Sequence, residues 1–235
     1  MKSQKLYIIH GWTYTTKYWD ETLKILEKRG VEVEMLKVPG LTKKDDHVFK
    51  ISDYVRWADQ NIPDGSVALG HSNGGRILLN LCAENPQKLE KLILLNSAGV
   101  YEKSTKRDIF RTVSKLFAPL KKLPLLRKIV HKLLGASDYD HAPENMKKTL
   151  AGLLDSDKSL TLEKVTTETT LLWGEKDTTT PPHQGRALHE KLKNSTLTFY
   201  KDWDHAPYIK HPDELADAII SALPSDFLKN KKGND

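Results

Sequence analysis

The sequence predicts an α/β fold built on a doubly wound, mainly parallel sheet of about six strands, and three observations carry that prediction. Short apolar runs alternate with stretches of helical period through residues 6–99 and again through 169–223, the pattern of strands joined by crossover helices. Leu92-Ile93-Leu94-Leu95-Asn96 is apolar on both faces, as a strand in the middle of a parallel sheet must be. Gly70-His71-Ser72-Asn73-Gly74 stands between an apolar run and a helix-like run. A Gly-x-Ser-x-Gly sequence there makes a tight strand-to-helix turn, with the serine lifted to the top of the sheet.

Taken in order, Leu6 to Ile9 is a short strand leading into His10-Gly11-Trp12. Thr16 to Arg29 reads as a helix, with Tyr18, Trp19, Leu23 and Leu26 at helical spacing and Gly30 as its C-terminal cap. Val31 to Val38 is the next strand. Its Val31, Val33 and Met35 alternate with Glu32 and Glu34, which suits an exposed sheet edge and discourages edge-to-edge association. Val48 to Asn61 reads as a helix and Pro63-Asp64-Gly65 as a turn. Val67 to Leu69 enters the serine turn, and Asn73 to Ala83 is the helix that leaves it. Thr169 to Trp173 and Leu197 to Tyr200 are the later strands. The helices Pro181–Leu192 and Pro212–Leu223 each carry proline at the first turn, where its missing N–H does no harm.

Residues 100–162 break the alternation. They read as a mainly helical insertion cut by Pro119, Pro124 and Pro143. Apolar residues at helical spacing, Ile109, Val113, Leu116, Phe117 and Leu120, then Leu126, Ile129, Val130, Leu133 and Leu134, would pack it onto the body. The predicted organisation is therefore a core over 1–99 and 163–224, an insertion over 100–162, and a polar tail over 225–235 that frays.

The 235 residues carry 38% apolar and 29% charged side chains, a balance that fits one large globular domain with an insertion. No apolar run reaches the roughly eighteen residues that cross a bilayer. Leu6–Ile9 is too short for a signal-peptide core. A lone cysteine, Cys82, excludes an intrachain disulfide and favours the cytoplasm. The net charge of +6 is concentrated: residues 101–135 hold ten Lys or Arg against Glu102 and Asp108, a surplus of +8, so the remainder sums to −2. Such a basic helical segment is first of all a solvated surface; weak contact with an anionic membrane surface or an acidic substrate is the sharper expectation. No recognition motif accompanies the charge, so nucleic acid is not an expected partner.

A serine hydroxyl at a tight turn needs a base to take its proton. His205, in Asp202-Trp203-Asp204-His205-Ala206-Pro207, lies on the loop between the last strand and the last helix, where catalytic loops of such sheets gather. His211 stands just before Pro212 and reads as the entry to the helix, and His71 should point away from the serine hydroxyl. The base needs a carboxylate to fix its tautomer. Asp177, at the end of Leu172-Trp173-Gly174-Glu175-Lys176-Asp177, gives the chain order Ser…Asp…His. Glu175 is its closest rival, then Asp202 and Asp204, then Asp155 and Asp157. The loop after the first strand should supply the second oxyanion donor: Gly11 allows close approach, Trp12 offers its N–H, and His10 should be hydrogen-bonded beneath it.

Four pieces in chain order, His10-Gly11-Trp12, Gly70-His71-Ser72-Asn73-Gly74-Gly75, Leu172-Trp173-Gly174-Glu175-Lys176-Asp177 and Asp204-His205, spread over nearly the whole chain, resemble the α/β-hydrolase superfamily. Leu95-Asn96-Ser97-Ala98-Gly99 also resembles the segment after the strand in small bacterial members. The resemblance implies Ser72, His205 and Asp177 as a triad, with the backbone N–H groups of Trp12 and Asn73 as oxyanion donors. It implies a helical cap in the insertion, and no metal or organic cofactor. Many members open with an antiparallel hairpin for which the few residues before Leu6 leave no room, so a core without that hairpin is expected. The implied activity is hydrolysis of an ester or related acyl carbonyl through an acyl-enzyme. C–C bond cleavage of the ring-cleavage-product type and a non-catalytic ligand-binding relative are the alternatives. The expected partner is a small-molecule acyl substrate, and the expected state a monomer or small homo-oligomer.

Overall fold

The computed structural model describes residues 5–101 and 142–228. Six strands form one sheet: β1 (Lys5–Ile9), β2 (Glu32–Met35), β3 (Ser66–His71), β4 (Leu89–Leu95), β5 (Glu168–Gly174) and β6 (Ser195–Tyr200). The order is β2-β1-β3-β4-β5-β6, and every neighbouring pair is parallel. Between them run α1 (Asp20–Lys28), α2 (Ile51–Asn61), α3 (Asn73–Glu84), α4 (Glu144–Ser156), α5 (Pro182–Lys191), the short α6 (Pro207–Lys210) and α7 (Pro212–Ala222).

The two-residue period of the strands divides the core into two layers. Ala68, Leu92, Leu94 and Leu171 face α2, α3, α4 and α5. Leu69, Ile93, Leu95 and Leu172 face α1 and α7. β2 is an edge strand, as its alternation predicts. Lys5 on β1 reaches across to Glu34 at 3.0 Å and Glu32 at 3.4 Å, so the two glutamates lie on the solvent side with a cation beside them.

The chain winds outward from β1 to β2, then crosses back over β1 to β3 and continues to β6. The strand order therefore reverses between β1 and β3. In an open parallel sheet that reversal leaves a crevice at the strand C-termini. The His10-Gly11-Trp12 loop and the Ser72 turn emerge side by side there.

Several boundaries differ from the sequence reading, among them the strand expected over Val31 to Val38, which spans only Glu32–Met35. Thr16 to Trp19 is not α-helix: Lys17–Trp19 forms a single 3-10 turn that feeds α1. The helix expected from Val48 begins only at Ile51. The Phe49 N–H is drawn off to Thr149 Oγ1 at 2.9 Å, and the Lys50 N–H donates to Asp53 Oδ2 at 2.8 Å, closing the helix end from outside. The tail does not fray from its first residue. Pro224 to Phe227 makes a turn, with the Phe227 N–H on the Pro224 carbonyl at 3.0 Å, and Phe227 is buried beside Leu215 and Ile219. A periodicity argument has no purchase on one aromatic residue in a lysine-rich end.

Most of the expected insertion, with its two apolar stripes and its basic surplus, lies outside the described residues. Its C-terminal part is α4. The helix docks through Asn145, whose side-chain amide donates to the carbonyls of Asp45 (3.2 Å) and His47 (3.0 Å), and through buried Met146 and Leu153.

Phe227→Ala removes a buried ring from the α1/α7 layer. The expected loss is about 3 kcal/mol of unfolding free energy, read by urea denaturation; a change near zero would mean that the turn is not docked.

Candidate active site

β3 ends at His71, and α3 begins at Asn73 with nothing between them but Ser72. To turn in one residue, Ser72 takes φ 51 and ψ −116, a left-handed region that costs a non-glycine residue about 1–3 kcal/mol. Surrounding bonds hold it there. The Ser72 N–H donates to the Leu95 carbonyl at 3.1 Å, and the Ser72 carbonyl receives the N–H groups of Gly75 (3.0 Å), Arg76 (3.3 Å) and Ala98 (3.0 Å). The turn is possible only because its flanks lack side chains. A Cβ on Gly70 would lie 2.5 Å from Gly75 Cα, and one on Gly74 would run into the carbonyl of Ile9.

The structure brings Ser72, His205 and Asp177 together. His205 Nε2 lies 3.0 Å from Ser72 Oγ, and His205 Nδ1 lies 2.8 Å from Asp177 Oδ2. The carboxylate accepts at Oδ2, so Nδ1 carries the proton and Nε2 is free to accept from the serine, the tautomer a base needs. Asp177 is saturated. Its Oδ1 accepts the N–H groups of Thr179 (2.7 Å) and Thr180 (2.9 Å), and its Oδ2 faces the Thr180 hydroxyl at 2.7 Å as well as His205. Burial pushes this carboxyl up, but the bond and charge of His205 and the Thr180 bonds outweigh it, so it lies below the usual carboxylate range.

The rival acids other than Glu175 are engaged elsewhere. Asp202 pairs with Lys176 at 2.7 Å, and Asp204 with Lys210 at 2.6 Å. Glu175 is exposed on the turn, and Asp155 pairs with Lys158 at 3.2 Å. Asp157 is buried against Arg76, which grips it through Nε at 2.7 Å and Nη2 at 2.9 Å.

The His10-Gly11-Trp12 loop lies directly against the turn: a Cβ added to Gly11 would sit 3.0 Å from Ser72 Cβ. His10 is beneath it, with Nδ1 donating to the Gly11 carbonyl at 2.8 Å and Nε2 accepting from the Thr42 hydroxyl at 2.9 Å. The Asn73 N–H opens α3, where first-turn donors have no intrahelical acceptor and the helix dipole favours negative charge. Trp12 and Asn73 thus place their backbone N–H groups on the two segments that flank Ser72 Oγ. Their side chains add Trp12 Nε1 and Asn73 Nδ2, both buried without a hydrogen-bond partner among the described residues.

Four participants escaped the sequence reading or were undervalued by it. Arg76 reads as a helix residue, yet it is buried and reaches Asn73 Oδ1 at 2.6 Å while holding Asp157, so the first turn of α3 is tied to the end of α4. Thr180 sits beside the acid and 3.3 Å from His205 Nδ1. Asn96, which reads as the end of a buried strand, is fully buried with φ 44. His71 points away from the serine hydroxyl as expected, but its Nε2 donates to the His205 carbonyl at 2.8 Å. Only the residue after a strand, where Asn tolerates left-handed backbone, could have flagged Asn96 in advance.

Comparison with known proteins agrees with this fold. The family described as alpha/beta hydrolase fold matches residues 5–161. A pimeloyl-[acyl-carrier protein] methyl ester esterase of Neisseria meningitidis serogroup B is 26% identical, over 96% of this chain and 93% of that protein. Among solved structures, a probable hydrolytic enzyme from Pseudomonas aeruginosa PAO1 superposes with a TM-score of 0.69 at 17% identity, covering 95% of this chain and 86% of that one. A putative lipase from Acinetobacter baumannii AYE gives 0.67 at 19%, covering 99% and 86%.

Two stability measurements follow from these contacts. Burial, reinforced by the neighbouring His205, pushes the His71 imidazole down from 6.5 to about 3. The unfolded chain therefore binds a proton that the folded chain refuses. The stability this group contributes is complete above about pH 6.5 and is lost progressively as pH falls toward about 3. His71→Phe should flatten the fall of unfolding free energy over that window, measured by urea titration at a series of pH values; an unchanged slope would contradict the assignment. Arg76→Ala leaves Asp157 buried without its cation and should cost about 3–5 kcal/mol, whereas a loss below about 1 kcal/mol would show that the pair is solvated.

Proposed function

This chain belongs to the alpha/beta hydrolase fold family, and from that premise we propose that it is a serine hydrolase cleaving an ester through Ser72, His205 and Asp177. The observation that carries the reading is the pair of contacts on one imidazole, 3.0 Å to Ser72 Oγ and 2.8 Å to Asp177 Oδ2. Ser72 Oγ attacks the ester carbonyl as His205 Nε2 takes its proton. The carbonyl electron pair moves onto oxygen, and the N–H groups of Trp12 and Asn73 receive that oxyanion. Asp177, held ionised by its bonds, stabilises the imidazolium without taking its proton. The oxyanion then collapses, and His205 gives the proton to the departing alkoxide. Water, deprotonated by His205, attacks the acyl-enzyme and releases the acid and the free serine. Protons and electron pairs close on these groups and water alone.

The exposure pattern supports this division of labour. Ser72 and His205 are partly open and Asp177 is buried, so substrate meets the nucleophile and base while the acid stays dry. The names borne by relatives of similar length, pimeloyl-[acyl-carrier protein] methyl ester esterases, make a methyl ester of an acyl chain the first substrate class to offer. The lone buried Cys82 fits a reducing compartment, and we place the enzyme in the cytoplasm. Among the described residues no helix is long and apolar enough to cross a membrane.

A fluorophosphonate probe should label the wild type at Ser72 and leave Ser72→Ala unlabelled. Against short-chain p-nitrophenyl esters and acyl methyl esters, Ser72→Ala and His205→Ala should each lose about 10⁴-fold or more in kcat while remaining folded. Equal labelling of Ser72→Ala, or a His205→Ala enzyme near the wild-type rate, would overturn the assignment.

A further inference from the structure

We infer that Asn96 is the positioning residue of the base: with His71 it clamps the backbone of His205, so that the imidazole meets Ser72 and Asp177 together. The inference rests on the serine-hydrolase reading and deepens it. Asn96 sits one residue beyond β4, is fully buried, and holds φ 44. Its side chain hydrogen-bonds to residues on the loops that carry the acid and the base, joining them to the end of β4. Oδ1 accepts the Gly174 N–H at 2.8 Å, where β5 turns toward Asp177. Because Oδ1 is fixed by that donor, Nδ2 must face the opposite way, and it donates to the carbonyls of Asp204 at 2.9 Å and His205 at 3.2 Å. The Asn96 carbonyl lies 3.0 Å from the Thr180 hydroxyl, which is itself 2.7 Å from Asp177 Oδ2. One buried amide therefore gauges the distance between the loop carrying the acid and the loop carrying the base.

The His205 carbonyl also receives the His71 Nε2–H at 2.8 Å. Two buried donors on one carbonyl fix the backbone from which the catalytic imidazole hangs. His71 is the residue before the nucleophile, so the second donor ties the base directly to the serine turn. The ring of His71 lies 4.9 Å from that of His205, and against Trp19 and Tyr208, which leaves it little freedom to turn. A base displaced by about 1 Å loses on the order of 100-fold in rate, with little change in ground-state binding. A group acting only through position should therefore show in kcat and not in KM.

Three variants test this. Asn96→Gly removes the amide while suiting the left-handed backbone. Asn96→Asp keeps an acceptor for Gly174 and replaces the donor by an oxygen facing two carbonyls. His71→Phe removes the second donor and leaves Asn96 in place. For each, kcat and KM on a p-nitrophenyl ester, the rate of fluorophosphonate labelling, and the low-field proton resonance of His205 Nδ1–H are measured on protein shown to be folded by circular dichroism. The Asn96 variants should lose about 100-fold in kcat, with KM within about twofold. Labelling should slow in parallel, and the Nδ1–H resonance should shift or broaden. His71→Phe should move the same readouts by a smaller factor. Wild-type kcat and labelling rate in any folded member of the set overturn the clamp. Failure of the wild type itself to be labelled would instead remove the serine-hydrolase reading beneath it, so the two failures are distinguishable.

Discussion

A single backbone constraint organises this molecule: the chain must pass from β3 to α3 through one residue, Ser72, with φ 51. No serine adopts that conformation freely, so the neighbourhood has to enforce it. Three N–H groups converge on the Ser72 carbonyl, one of them from Ala98 beyond the adjacent strand. Gly70 and Gly74 withdraw their side chains so that α3 can pass close under β1 and β3. The result is a hydroxyl held away from the sheet, at the positive end of a helix, in a fixed place. A hydroxyl that cannot wander gives the imidazole and the N–H groups around it a fixed target.

Everything else at the site is aimed at that target from a different part of the chain. Strand order reverses between β1 and β3, so the His10-Gly11-Trp12 loop and the serine turn share one crevice. Asp177 comes from the end of β5 and His205 from beyond β6, and no local sequence rule can set their separation. The buried polar residues do so instead. Asn96 joins the β5 turn to the His205 loop, His71 joins that loop to the serine turn, and Arg76 joins the start of α3 to α4 through Asp157. Such groups are expensive to bury unless satisfied. Each is hydrogen-bonded across separate segments, which restricts the arrangements the loops can adopt.

Much of this was legible in the residues. The alternation of apolar runs and helical stretches, the proline-started helices and the alternating edge strand depend on local periodicity, and the sheet has the six parallel strands and the edge position that they imply. Ser72, Asp177 and His205, which the structure brings within hydrogen-bond distance of one another, could be picked out because glycine spacing and loop position restrict where such groups stand. The start of α2, the 3-10 turn before α1 and the docking of Phe227 were not legible. The first and the last are decided by a partner far along the chain: Thr149 for Phe49, and the α7 layer for the tail.

The sequence by itself determined the fold class, the serine turn and the chain order of serine, aspartate and histidine, because backbone sterics and side-chain periodicity act within a few residues. Only the tertiary structure decided which carboxylate reaches the imidazole. Asp177 and its rivals are chemically alike, and the choice was made by the loop geometry that carries Asp177 to His205 while Arg76 holds Asp157 and lysines pair with Asp155, Asp202 and Asp204. The same holds for Asn96 and His71, ordinary polar residues in the sequence, which converge on the carbonyl of His205 only when β3, β4 and the loop beyond β6 are packed side by side.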